Sequence, residues 1–130
     1  MARLSFPKKK RLASNRQFKA VLDHGRRAGD GLLTLYLAPN QCGYPRLGVS
    51  VGKSCGNAVV RNRLKRLLRE AFRQSQDRIP PDHDYVLMIS PVLSRRLKHP
   101  PEAAKILPSL TLPQVQKSFL SLVESANRTK

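Results

Sequence analysis

Acidic side chains are scarce in this chain of 130 residues: eight aspartates and glutamates stand against 25 lysines and arginines, leaving a formal charge of +17 at pH 7. So positive a surface repels itself when bare. That argues against a neutral metabolic enzyme and for a polyanionic partner, RNA or DNA before an anionic membrane. Long apolar runs are missing as well. The longest aliphatic stretch, Val86-Leu87-Met88-Ile89, is far short of the ~20 residues that cross a bilayer, so no membrane partner is expected. Between Met1 and Arg11 only Leu4 and Phe6 are large and apolar, too few for the core of a secretory signal, and a cytoplasmic location is expected. Cys42 and Cys55 form neither a disulfide framework nor a CxxC pair and read as free thiols of a reducing compartment. His24, His83 and His99 are scattered, and Asp30, Asp77, Asp82 and Asp84 read as turn residues, so no metal held by the protein alone is expected.

What is present fits one small domain spanning residues 1–130. Ser14-Asn15-Arg16-Gln17 has the form of a capping box, and Gly25 offers a left-handed stop, predicting a helix of about three turns with Phe18, Val21 and Leu22 on one face. Leu32 to Leu37 alternates as a strand ended by Pro39-Asn40, with Leu33, Leu35 and Leu37 on one side. Arg46 to Val51 predicts another, placing Leu47, Val49 and Val51 inward while Gly48 and Ser50 leave the opposite face low and open. After a turn-rich connection, Asn57 caps a strong helix running to about Arg73. A last helix is predicted from about Pro113, capped by Thr111 and carrying Val115, Phe119, Leu122, Val123 and Ala126 on its inner face. Residues 1–11 read as a flexible basic tail. Residues 91–112 read as a proline-rich insertion loop, because five of the ten prolines fall between Pro91 and Pro113 and neither helical nor strand period persists.

The helix after Asn57 is the informative element. Val60, Leu64, Leu67, Leu68 and Ala71 share an arc of roughly 100°, the width of a core-facing stripe. Arg61, Lys65, Arg69 and Arg73 recur opposite them, with Asn62, Arg63 and Arg66 alongside and Glu70 as the only acid, spaced to pair with Arg66. A charged helix face is ordinarily a solvated surface. Here six cations against one anion leave most of the charge unpaired, which favours a nucleic acid lying on it, without choosing RNA over DNA.

The order of residues goes further. Leu47-Gly48-Val49-Ser50-Val51, Lys53, and the run from Gly56 to Arg73 around Arg61-Asn62-Arg63 resemble the signature of the bacterial ribonuclease P protein component, as do Arg11-Leu12, Phe18, His24-Gly25 and Leu35-Tyr36. The resemblance implies an α+β domain of order αβββαβα, also known from a ribosomal protein domain, with a four-stranded sheet and a left-handed βαβ crossover. Three strands can be read directly, and Arg26–Gly29 is the candidate for the fourth. It further implies a protein subunit that assists a catalytic RNA in removing the 5′ leader from precursor tRNA, with Mg2+ bound mainly by the RNA subunit and no catalytic residue on the protein. By the same resemblance Arg61, Asn62, Arg63, Lys65, Arg66, Arg69 and Lys53 face the RNA subunit, while Phe18, Tyr36, Leu22 and Ser50 line a cleft for the single-stranded leader. Leu22 stands where the family often has a second aromatic, and Ser54 where it often has a second lysine. A ribosomal or other structural RNA-binding protein is the alternative. A DNA-binding regulator would need a helix just before the basic one, where the sequence instead has a strand.

Overall fold

The computed structural model describes residues 10–12 and 14–128. Helix α1, Asn15–His24, starts on a capping box in which the Gln17 amide donates to Ser14 Oγ and the Ser14 amide to Gln17 Oε1, each at 3.2 Å. It stops at Gly25, whose φ of 86° a side chain would resist. Three strands follow, β1 (Arg27–Gly29), β2 (Leu33–Pro39) and β3 (Arg46–Ser50), then α2 (Ala58–Ser75) and β4 (His83–Ile89). Sheet order is β1-β2-β4-β3. β4 runs antiparallel to β2 and parallel to β3, so β3, α2 and β4 form a βαβ unit. The result is a single α+β domain with a four-stranded mixed sheet, in which the weak Arg26–Gly29 stretch supplies the edge strand β1.

The two sheet faces are unequally covered. Leu33, Leu35, Leu37, Leu47, Tyr85, Leu87 and Ile89 point to one face and are buried under α2 and the last helix. There Phe72, Tyr85 and Phe119 meet with ring centroids 5.9–6.0 Å apart, and the Tyr85 hydroxyl donates to Pro80 O at 2.7 Å. Burial pushes the Tyr85 phenol up, so it stays protonated. Among the described residues, the other face carries only α1, over a small cluster of Leu12, Val21, Ala38 and Val86.

The segment read as an insertion loop is two helices, α3 (Pro91–Leu97) and α4 (Pro100–Ser109). Pro91 and Pro100 stand at the first turn, where a missing N–H costs nothing, and Ser90 caps α3 by accepting from the Leu93 amide at 3.1 Å. Leu93, Leu97 and Leu110 are buried in the main core. The last helix, α5, spans Leu112–Arg128 with all five predicted apolar residues buried, and Thr111 Oγ1 accepts from the Gln114 amide.

Asp84 is not a turn residue. It lies in β4, and Arg46 Nε and Nη2 and Asn40 Nδ2 each donate to its carboxylate at 2.7 Å. Of the basic tail, residues 1–9 lie outside the described residues. Arg11 pairs with Leu47 in a parallel bridge, the Leu12 amide donates to Leu47 O at 2.9 Å, and Lys10 Nζ donates to Gln76 Oε1, so the end of that tail is fastened along the outer edge of β3.

Candidate nucleic-acid interface

Asn57 fixes the start of α2, its Oδ1 accepting from the Val60 amide at 3.0 Å. Leu64, Leu68, Ala71 and Phe72 anchor the inner stripe, Phe72 beyond the residues the periodicity picked out. Burying that stripe turns the cations outward. Asn62, Arg63, Arg66 and Lys53 are exposed, and Arg61, Lys65 and Arg69 half-buried. None of these six cations has an ion-pair partner among the described residues. The Arg66–Glu70 pair that the spacing permits does not form. Glu70 turns toward the C-terminal end of the helix instead, accepting from Arg73 Nε at 3.0 Å and Gln74 Nε2 at 2.9 Å. Those hydrogen bonds lower its carboxyl to about 2, so the one acid of α2 is committed and leaves Arg66 unneutralised. Arg61 Nε is buried and has no hydrogen-bond partner among the described residues.

The second group of residues lies across the sheet. Register places Arg27, Tyr36, Val86 and Gly48 in one row of this face and Gly29, Thr34, Met88 and Ser50 in the next. Gly48 is not open: a Cβ there would sit 2.4 Å from Phe18 Cζ, so the Phe18 ring occupies the space the glycine leaves. Phe18, Leu22 and Tyr36 are half-buried around the small cluster, and Ser50 is exposed. What remains accessible is the row of Thr34, Met88 and Ser50, flanked by Tyr36. Thr34 and Met88 are the members that sequence reasoning missed, although Thr34 already stood on the polar side of the alternation.

The two groups therefore sit on opposite faces, with edge strand β3 between them. Arg69 reaches around that edge to line a cavity of about 200 Å³ with Arg11, Phe18, Leu47 and Gly48. Burial and the neighbouring Arg11 charge lower the Arg69 pKa, as expected of two cations brought close. No group of three or more His, Cys, Asp and Glu side chains is placed to hold a metal ion among the described residues, and no helix there is long and apolar enough to cross a membrane.

A four-stranded mixed sheet with a basic helix packed on one face and the half-buried rings of Phe18 and Tyr36 on the other defines a small, strongly cationic α+β protein. The sequence model of the family described as Ribonuclease P matches residues 6–100, and the chain belongs to that family. It is 39% identical over 88 residues to the ribonuclease P protein component of Syntrophus aciditrophicus (strain SB), covering 68% of this chain and 74% of the relative. Among solved structures, the ribonuclease P protein from Thermotoga maritima superposes with a TM-score of 0.73 at 27% identity, covering 88% of this chain and 96% of that one. The Staphylococcus aureus ribonuclease P protein gives 0.69 at 25% identity, covering 90% and 94%.

Proposed function

We propose that the chain is the protein subunit of a bacterial ribonuclease P, binding the RNA subunit through α2 and the 5′ leader of precursor tRNA through the cleft beside α1. The observation that carries this reading is the committed Glu70: with its only acid paired to Arg73, α2 presents Arg61, Arg63, Lys65 and Arg66 to a polyanion. Phosphates satisfy such a face through charge-assisted hydrogen bonds. On the opposite face Tyr36 offers a ring on which a base of any identity can stack, beside the hydroxyls of Thr34 and Ser50.

Magnesium, in this reading, belongs mainly to the RNA subunit, where it activates the attacking water. Two carboxylates of α2 and β4 are engaged by cations, Glu70 by Arg73 and Asp84 by Arg46. The protein's part is to hold RNA and leader and to supply positive charge near the cleavage junction, working in the cytoplasm without DNA as a partner. Copurification is the test. The full chain, recovered from its own host and washed at moderate salt, should carry predominantly one RNA species that cleaves precursor tRNA; recovery of ribosomal RNA alone would assign it to the structural RNA-binding class.

A further inference from the structure

The side of α2 away from β3 adds an apolar feature to the cationic surface described above. A cleft of about 600 Å³ runs along the helix, with Val59, Leu67 and Leu110 as its apolar lining and Arg63 and Arg66 on its rim. Its span from Val59 to Glu70 is about 16 Å at 1.5 Å per residue. Val59 is 77% exposed in the first turn of a helix otherwise presenting cations, and it is one of two large apolar side chains so exposed among the described residues. Leu110, the opposite wall, lies between α4 and α5, beyond residue 100 where the family match ends. Among the described residues, Leu110 is the one lining residue that α2 does not supply.

Apolar lining under a rim of guanidinium groups matches one chemistry closely, a flat base joined to a phosphodiester. We propose that the cleft seats one or two unpaired nucleotides of the RNA subunit, bases against Val59, Leu67 and Leu110 and phosphates toward Arg63 and Arg66. This rests on the reading of α2 as the RNA-subunit surface. Volume supports the assignment, since ligand-holding clefts run to about 300–1,000 Å³.

The test is chemical probing of the cognate RNA subunit, free and bound to the full-length chain, with dimethyl sulfate and a 2′-hydroxyl acylating reagent. Wild-type protein should protect one or two unpaired positions that Val59→Ser returns to their free reactivity while the rest of the footprint stays. Val59→Trp, which fills the cleft from an exposed position, should do the same. Either variant should weaken binding about three- to tenfold with the salt dependence unchanged, because the interaction removed is apolar. Arg63→Ala with Arg66→Ala should instead flatten the salt dependence. If wild type binds with the α2 footprint and neither Val59 variant changes a position or the affinity, the seat is wrong and the function stands. If wild type does not bind the RNA subunit at all, the function falls and the seat with it. Loss of self-association in Val59→Ser, seen by sedimentation without RNA, with RNA binding intact, would make the cleft a protein contact and overturn the proposal.

Discussion

Single residues decide the electrostatics of this protein more than its total charge does. Glu70 is the clearest case, because its hydrogen bonds to Arg73 and Gln74 lower its pKa from the ordinary 4.5 to about 2. A carboxyl depressed in the folded state stabilises above its unfolded pKa and loses that contribution as pH falls through the folded value. Acidification from neutrality should therefore leave the Glu70–Arg73 pair intact through pH 4, and a carboxyl-detected NMR titration should place its midpoint near 2; a midpoint near 4.5 would show the pair absent in solution. Asp84 is the structural counterpart. Its side chain is 10% exposed and that of Arg46 18%, so Asp84→Ala leaves a largely buried guanidinium without its acid and should cost about 3–5 kcal/mol in urea denaturation. The sequence could not show this pair, since 38 residues separate the partners and only the parallel β3–β4 register brings them opposite.

At the scale of elements, legibility followed periodicity. The inner face of α5, the alternation in β2, the capping box of α1 and the stripe of α2 were all readable, because each repeats its pattern over several turns or residues. α3 and α4 were not. They are 7 and 10 residues long, so a window across Pro91 to Pro113 mixes two helical phases, and prolines that begin helices look locally like prolines that forbid them. The bare face expected at Gly48 failed for a related reason: alternation shows which way a position points, while the neighbour filling it, Phe18, comes from another element. The basic elements also differ in kind. Arg96 of α3 pairs with Glu102 at 3.0 Å, whereas Arg61, Arg63, Lys65, Arg66 and Arg69 of α2 have no ion-pair partner among the described residues. Replacing Arg61, Lys65 and Arg66 by alanine should thus weaken RNA-subunit binding far more than replacing Arg95, Arg96 and Lys98, and should reduce the slope of log K against log[salt] by roughly 0.7–0.9 for each phosphate no longer neutralised. Equal binding by the two triple variants would reduce the interface to bulk charge. Across the sheet, Phe18→Leu with Tyr36→Leu keeps apolar volume over Gly48 and removes both ring faces. That variant should bind the RNA subunit normally yet lose the preference for precursor over mature tRNA, by about 1–3 kcal/mol per base unstacked. A full preference at unchanged thermal stability would return both rings to the small cluster as packing residues.

For the whole molecule, a charge of +17 and two separated surfaces make one expectation, that the protein acts by bringing RNA and leader together under positive potential rather than by chemistry of its own. On the proposed function, positive charge near the cleavage junction would substitute in part for the counterions that an RNA catalyst draws from solution. The charge was legible from composition alone. The placement of the basic helix and the aromatic row on opposite faces was not, since that depends on which side of the sheet each helix packs. The most direct measurement is single-turnover cleavage of precursor tRNA by the cognate RNA subunit across a magnesium series, with and without the full chain. The protein should shift the magnesium requirement to lower concentration, the RNA should cleave alone at high magnesium, and protein alone should be inert. A protein that cuts without RNA, or one that leaves the magnesium dependence where it was, would contradict the account.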